Sequence, residues 1–206
     1  MFSEAERRTA FFTGHRHISE AEEASLKPVM DQTLRQAYQE GYRCFLCGCA
    51  LGFDLLAAEQ TLLLREAFPD VKLFLAIPCA TQTKGWPERY RMQYQMIREK
   101  ADSEAVLSPF YYQGCMMTRN RFMADRSSLC IAYLKEMQGG TASTVRYAAL
   151  HRKIKVINLA CPNQDTLTGL RESKWNYMCI SLSAERNAGT APLRLSRVGK
   201  MSMKNM

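Results

Sequence analysis

YRCFLCGCALGFDLLAAEQTLLLREAFPD, residues 42–70, is the stretch that sets the fold. It opens with a short, nearly continuous apolar run, YRCFLCG at 42–48. Such a run lacks the alternation of a half-buried strand and suits one covered on both faces of a parallel sheet. A turn carrying Gly48 and Gly52 follows. DLLAAEQTLLLREA at 54–67 then reads as a helix, with Asp54 as its N-cap and a stop before Pro69. Cys44, Cys47 and Cys49 cluster here, but no second CxxC or HxxxH set accompanies them. They read as small hydrophobes rather than metal ligands, and no metal is expected.

The same strand–helix unit repeats on both sides. Further apolar runs are TAFFTG (9–14), VKLFLAIP (71–78), SEAVLSP (103–109), SSLCIAYL (127–134) and IKVINLA (154–160). Helical patterns fill 20–40, 87–101, 118–126 and 141–152. Gly41 stops the first, Pro87 starts the second, Thr118 opens the third, and the fourth follows Gly139-Gly140. The alternation predicts an α/β fold: Rossmann-like, doubly wound, a mainly parallel sheet with helices on both faces and an early strand in the middle. The pattern lapses after Ala160. Residues 1–160 are expected to form the domain, and 161–206 a C-terminal extension with a partly flexible basic tail.

Composition narrows the function classes. Hydrophobic residues make up 47% of 206, enough for one core, so a disordered chain is excluded. No apolar run approaches the roughly 20 residues that span a bilayer, and no membrane partner is expected. The first 16 residues carry both charges and lack a long apolar segment, so a cytoplasmic location is the default and disulfides are not expected from the eight cysteines. Net charge is +8, of which the stretch from Cys161 onward supplies +4 (seven basic, three acidic residues). A basic balance favours phosphate-bearing partners and says nothing about which.

Ligands of open α/β sheets bind beyond the carboxyl ends of the strands. There the sequence gathers Gly14, His15 and Arg16; Gly48, Gly52 and Asp54; Gln82 and Trp86; Tyr111 and Tyr112; Arg119 and Asn120; and Gly139, Gly140, Thr141 and Thr144. Arg16 and Arg119 match phosphate bidentately, and a glycine turn opening a helix offers it backbone donors. Each has a plainer reading too: Asp54 as a cap, His15 as a surface residue, Trp86 as core packing, the glycines as a tight turn.

Five blocks taken together, FFTGHR (11–16), GCALGFDLLAAE (48–59), LAIPCATQTKGW (75–86), CMMTRNRFMADRSSLCIAY (115–133) and GGTASTVRYA (139–148), resemble the YpsA-like branch of the SLOG superfamily. That superfamily joins the SMF/DprA proteins and the LOG phosphoribohydrolases. The resemblance covers about residues 9–160 and implies a Rossmann-like domain with a nucleotide-derived ligand. LOG enzymes cleave base from ribose 5′-phosphate with a Pro-Gly-Gly-x-Gly-Thr-x-x-Glu motif and an arginine on the preceding helix. Arg119 matches the arginine and Gly140-Thr141 the Gly-Thr. Thr144 stands in the glutamate's place, and the proline has no counterpart. A threonine cannot stabilise the positive charge that builds on a ribose as its base leaves.

The expectation is therefore a sensor or regulator that holds a small nucleotide derivative, without LOG-type catalysis. Two alternatives stay open. One is an N-glycosidic hydrolase, with Asp54, Asp125 and Arg119 as catalytic candidates. The other is a single-stranded DNA binder related to SMF/DprA, of weak affinity. A homo-oligomer is compatible with either, and no separate cofactor is called for.

Overall fold

A computed structural model of the chain describes residues 8–161. The expected extension at 161–206 lies, but for Cys161, outside the described residues. The elements in chain order are β1 (Thr9–Gly14), α1 (Glu20–Gln39), β2 (Cys44–Cys47), α2 (Phe53–Ala67), β3 (Lys72–Ile77), α3 (Glu88–Lys100), β4 (Ser103–Val106), α4 (Cys115–Ala124), β5 (Leu129–Tyr133), α5 (Gly139–Arg146) and β6 (Lys155–Asn158). The strands form one sheet, ordered β4-β3-β2-β1-β5-β6, with every neighbouring pair parallel. The first strand lies inside the sheet, as a Rossmann-like order requires.

Alternation along the strands sorts residues to two cores. From β1, Ala10 and Phe12 pack with Leu26, Met30 and Leu34 of α1, Leu55 of α2 and Ile97 of α3. Phe11, pointing the other way, packs with Met123 of α4 and Val145 of α5. Ile131 and Tyr133 of β5 join the first layer; Cys130 and Ala132 join the second. Double-sided burial explains why these strands read as unbroken apolar runs.

The edges depart from that reading. β4 is shorter than the 103–109 run, and Ser103, Glu104 and Val106 are exposed, because an edge strand has one neighbour. Glu104 pairs with Arg98, placing charge on the open edge.

Helix starts also differ from expectation, each for a local reason. Gly52 caps α2 with φ +80°, a conformation that disfavours side chains, and Asp54 lies inside the first turn, not at the cap. α4 begins at Cys115 behind left-handed Gly114, so Thr118 sits within the helix. Pro87 precedes α3 as its cap residue. Gly139 and Gly140 form the first turn of α5 rather than a loop ahead of it. Beyond Arg146 the helix widens into a π-type turn, Tyr147–His151.

Candidate phosphate-binding cavity

The chain reverses its direction across the sheet between β1 and β5, and ligands of such folds bind at that switch point. A cavity of about 240 Å³ opens there. The end of β1 contributes Thr13, Gly14, His15 and Arg16; the β2–α2 segment adds Ala50 and Asp54. Met116, Arg119 and Asn120 reach it from one face of α4, and Gln138 to Thr141 from the start of α5.

Glycines let these segments close on one another. A Cβ on Gly14 would stand 2.4 Å from the Phe53 ring, and one on Gly52 would stand 2.3 Å from the Arg16 carbonyl oxygen. The Phe53 N–H donates to the His15 carbonyl at 3.1 Å, clasping the β1 and β2 loops. Thr141 Oγ1 donates to the Gly14 carbonyl at 2.9 Å and ties α5 to β1. Gly48 is the floor beneath Arg119: a Cβ there would lie 1.2 Å from Nη1.

Arg119 is the central charge. Its side chain is 5% exposed and its Nη1 stands 3.5 Å from Asp54 Oδ2, equally buried. Its Nε is buried with no hydrogen-bond partner among the described residues. Buried guanidinium nitrogens seldom go unpaired, so this donor fits an incoming acceptor. Asp54 also accepts from the Ala50 N–H at 3.4 Å. Burial pushes its carboxyl above the usual aspartate value, while Arg119, the Ala50 N–H and Arg16 pull it back. Arg16 is exposed and makes no hydrogen bond or ion pair among the described residues.

The first turn of α5 has neither a side-chain cap nor an acidic residue. Its N–H groups and the positive end of its dipole are free to meet an anion. His15 Nε2 accepts from the Lys135 N–H at 2.9 Å, so a neutral ring carries its proton on Nδ1. Burial, and then the charge of Lys135, lower its pKa.

Several residues expected at the site lie elsewhere. Thr144 is buried below the cavity, where its hydroxyl donates to the Gly140 carbonyl (2.8 Å) and accepts from Asn120 Nδ2 (2.7 Å). Gln82 is a brace: its Nε2 donates to the carbonyls of Gly48 (3.3 Å) and Cys49 (2.9 Å). Trp86 is not in the cavity wall and packs edge-on against Tyr94. Asp125 closes the far end of α4, paired with Arg152 and accepting from Tyr147, so it cannot act in this cavity. Cys47 and Cys49 are buried, with Sγ atoms 3.9 Å apart, and burial pushes the Cys47 thiol well up, which keeps it protonated.

Thr13, Ala50, Met116 and Gln138 line the cavity without having been singled out. Met116 was legible, since it lies three and four residues before Arg119 and Asn120 on one helix face. A larger hollow of about 540 Å³ runs along α3 past Met92 and Met96. Its two arginines are already paired, Arg91 with Glu88 of the same hollow and Arg98 with Glu104 of β4, so the smaller cavity is the better anion site.

A family model described as the YspA SLOG family matches residues 12–160. The UPF0398 protein YpsA of Bacillus subtilis is 32% identical over 117 residues, 55% of this chain and 65% of that protein. A UPF0398 protein of Bacillus velezensis is 29% identical over 131 residues, covering 62% of this chain and 72% of the relative. The chain thus spans just under two thirds of the Bacillus subtilis relative. Among solved structures, DNA processing protein A from Helicobacter pylori, described for its single-stranded DNA binding mode, superposes with a TM-score of 0.52 at 18% identity, over 73% of this chain and 64% of that one. DNA processing protein A from Streptococcus pneumoniae gives 0.51 at 19%, over 74% and 50%. At such identities these two establish a shared fold. With the match to its family spanning most of its length, the chain belongs to the YspA SLOG family.

Proposed function

We propose that the protein holds the phosphate of a nucleotide-derived ligand in the cavity between β1 and β5, as a sensor or regulator without LOG-type hydrolysis. One observation carries the reading. A buried arginine with an unpaired Nε lines the same cavity as the uncapped N-terminus of a helix. Arg16 adds a second cation at the rim. The position of the missing glutamate supports holding over cutting: Thr144 is 1% exposed and its hydroxyl is engaged on both sides.

The test is calorimetric titration of the full chain with ribose 5-phosphate, nucleoside 5′-monophosphates and ADP-ribose, alongside melting curves. A ligand at about 100 times its dissociation constant adds about 2.7 kcal/mol of stability. Silence from every phosphorylated probe defeats the reading. Release of free base at enzymatic rates would instead make Asp54, the carboxylate in the cavity wall, a catalytic group.

A second reading, single-stranded nucleic acid, is favoured by the fold shared with DNA processing protein A and by the net charge of +8. Its mark is affinity that falls steeply with salt. Tight binding to an unstructured oligonucleotide would prefer it.

A further inference from the structure

The loop from β4 to α4 carries three consecutive aromatic residues that the cavity does not use. Phe110 is 73% exposed, Tyr111 64% and Tyr112 45%. None has a ring, cation or hydrogen-bond partner for its side chain among the described residues. Yet the backbone beneath them is pinned. Ser108 Oγ donates to the Phe110 carbonyl at 2.7 Å, the Ala80 N–H donates to the Ser108 carbonyl at 3.0 Å, and the Cys115 N–H donates to the Tyr112 carbonyl at 3.1 Å. Three apolar rings are thus held toward water on a braced turn, an arrangement that favours an occupant.

We infer that Phe110, Tyr111 and Tyr112 form the stacking surface for the base of the ligand whose phosphate sits in the cavity; this rests on the function proposed above. Two further observations argue for a base. The cavity, at about 240 Å³, falls below the roughly 300–1,000 Å³ of pockets that enclose a whole small-molecule ligand, so part of a nucleotide must project. Among the described residues the cavity wall also contains no phenylalanine, tyrosine or tryptophan, and its one aromatic ring, that of His15, is held by the Lys135 N–H, so the large stacking surfaces lie outside it. The aromatic loop is the adjoining segment. Its last turn runs directly into α4, and Met116, four residues after Tyr112, already lines the cavity. Stacking tolerates any base, because every base has a π-face.

The experiment compares ribose 5-phosphate with the common nucleoside 5′-monophosphates, by calorimetry, on the full chain and on a variant combining Phe110→Ala, Tyr111→Ala and Tyr112→Ala. In the parent at least one monophosphate should bind tighter than ribose 5-phosphate by roughly 5- to 150-fold, the worth of one stacked base. The variant should bring that ratio close to one and leave the ribose 5-phosphate affinity unchanged. A ratio near one in the parent overturns the stacking surface but leaves the phosphate site standing, as does a ratio that survives in the variant. Failure of the parent to bind any probe overturns both. Light scattering adds one more adverse outcome: a parent dimer that the variant dissociates would make the rings a contact between copies.

Discussion

Asp54 Oδ2 stands 3.5 Å from Arg119 Nη1, and the two side chains come from helices on opposite faces of the sheet. The pair closes over the carboxyl ends of β1 and β2, joining the halves of a doubly wound fold at its ligand cleft. Were Asp54 only a helix cap, Asp54→Asn would be nearly silent, because asparagine caps as well. As a buried counter-ion it should not be. Asp54→Asn leaves Arg119 uncompensated and is expected to cost about 3 kcal/mol. Arg119→Met should cost a similar amount, and the double variant should lose less than the sum by about 0.5–3 kcal/mol. Urea denaturation of the four proteins measures this; strict additivity would dissolve the pair.

Arg16 separates binding from folding. Its side chain is exposed and unpaired among the described residues, so Arg16→Ala should leave stability within about 0.5 kcal/mol. A lost charge-assisted hydrogen bond should nonetheless weaken ribose 5-phosphate binding by about 1.5 kcal/mol, roughly tenfold. Equal affinity in parent and variant would remove Arg16 from the site.

Two glycines of the site should respond oppositely to alanine. At Gly48 the methyl would occupy the place of the Arg119 guanidinium, 1.2 Å from Nη1. Gly48→Ala is expected to destabilise by about 1–3 kcal/mol and to weaken phosphate binding with it. At Gly140 the methyl meets nothing within 4 Å. Gly140→Ala should keep or raise the melting temperature, since alanine favours a helix over glycine by about 0.5–1 kcal/mol. A stable Gly48→Ala protein with normal binding would contradict the floor beneath Arg119.

His15 gives the fold a pH dependence. Its pKa is lowered in the native state, so below the unfolded value of about 6.5 the unfolded chain takes up the proton first. Stability should therefore fall as pH drops below about 6.5, down to the native value, and His15 should contribute nothing above both. Asp54, whose native pKa is raised, acts in the opposite sense by taking its proton first in the native state. The comparison is thus between melting curves of the parent and His15→Gln, which keeps an acceptor for the Lys135 N–H. Parallel curves from pH 7.5 to 5.5 would rule His15 out.

Restoring the LOG acid should fail on structural grounds. Thr144 is buried and bonded to both Asn120 and Gly140. Thr144→Glu adds volume and a charge there, so we expect a loss of at least about 2 kcal/mol and no release of base from nucleoside monophosphates. A folded variant with hydrolase activity would show that the carboxylate reaches the cavity after all.

The architecture is legible in the order of the residues alone, because every cue for it is local. Six apolar runs of strand length, glycines and prolines at their ends, and helical spacing between them leave little choice but a parallel α/β sheet. The same locality placed His15, Arg16 and the α5 glycines beyond strand ends. How those residues divide the work depends on contacts between segments far apart in the chain. That Gly48 is a floor for Arg119 follows from the turn after β2 and α4 meeting across 71 positions of chain. Gln82 became a brace for the Gly48 and Cys49 carbonyls, Trp86 a packing residue and Asp125 a remote ion pair through contacts that no spacing encodes. Asp54 carried a correct local signal, a polar residue where a helix begins, yet Gly52 took the cap. With φ positive at Gly52 the chain turns early, and the carboxylate is carried inward to the buried guanidinium of Arg119.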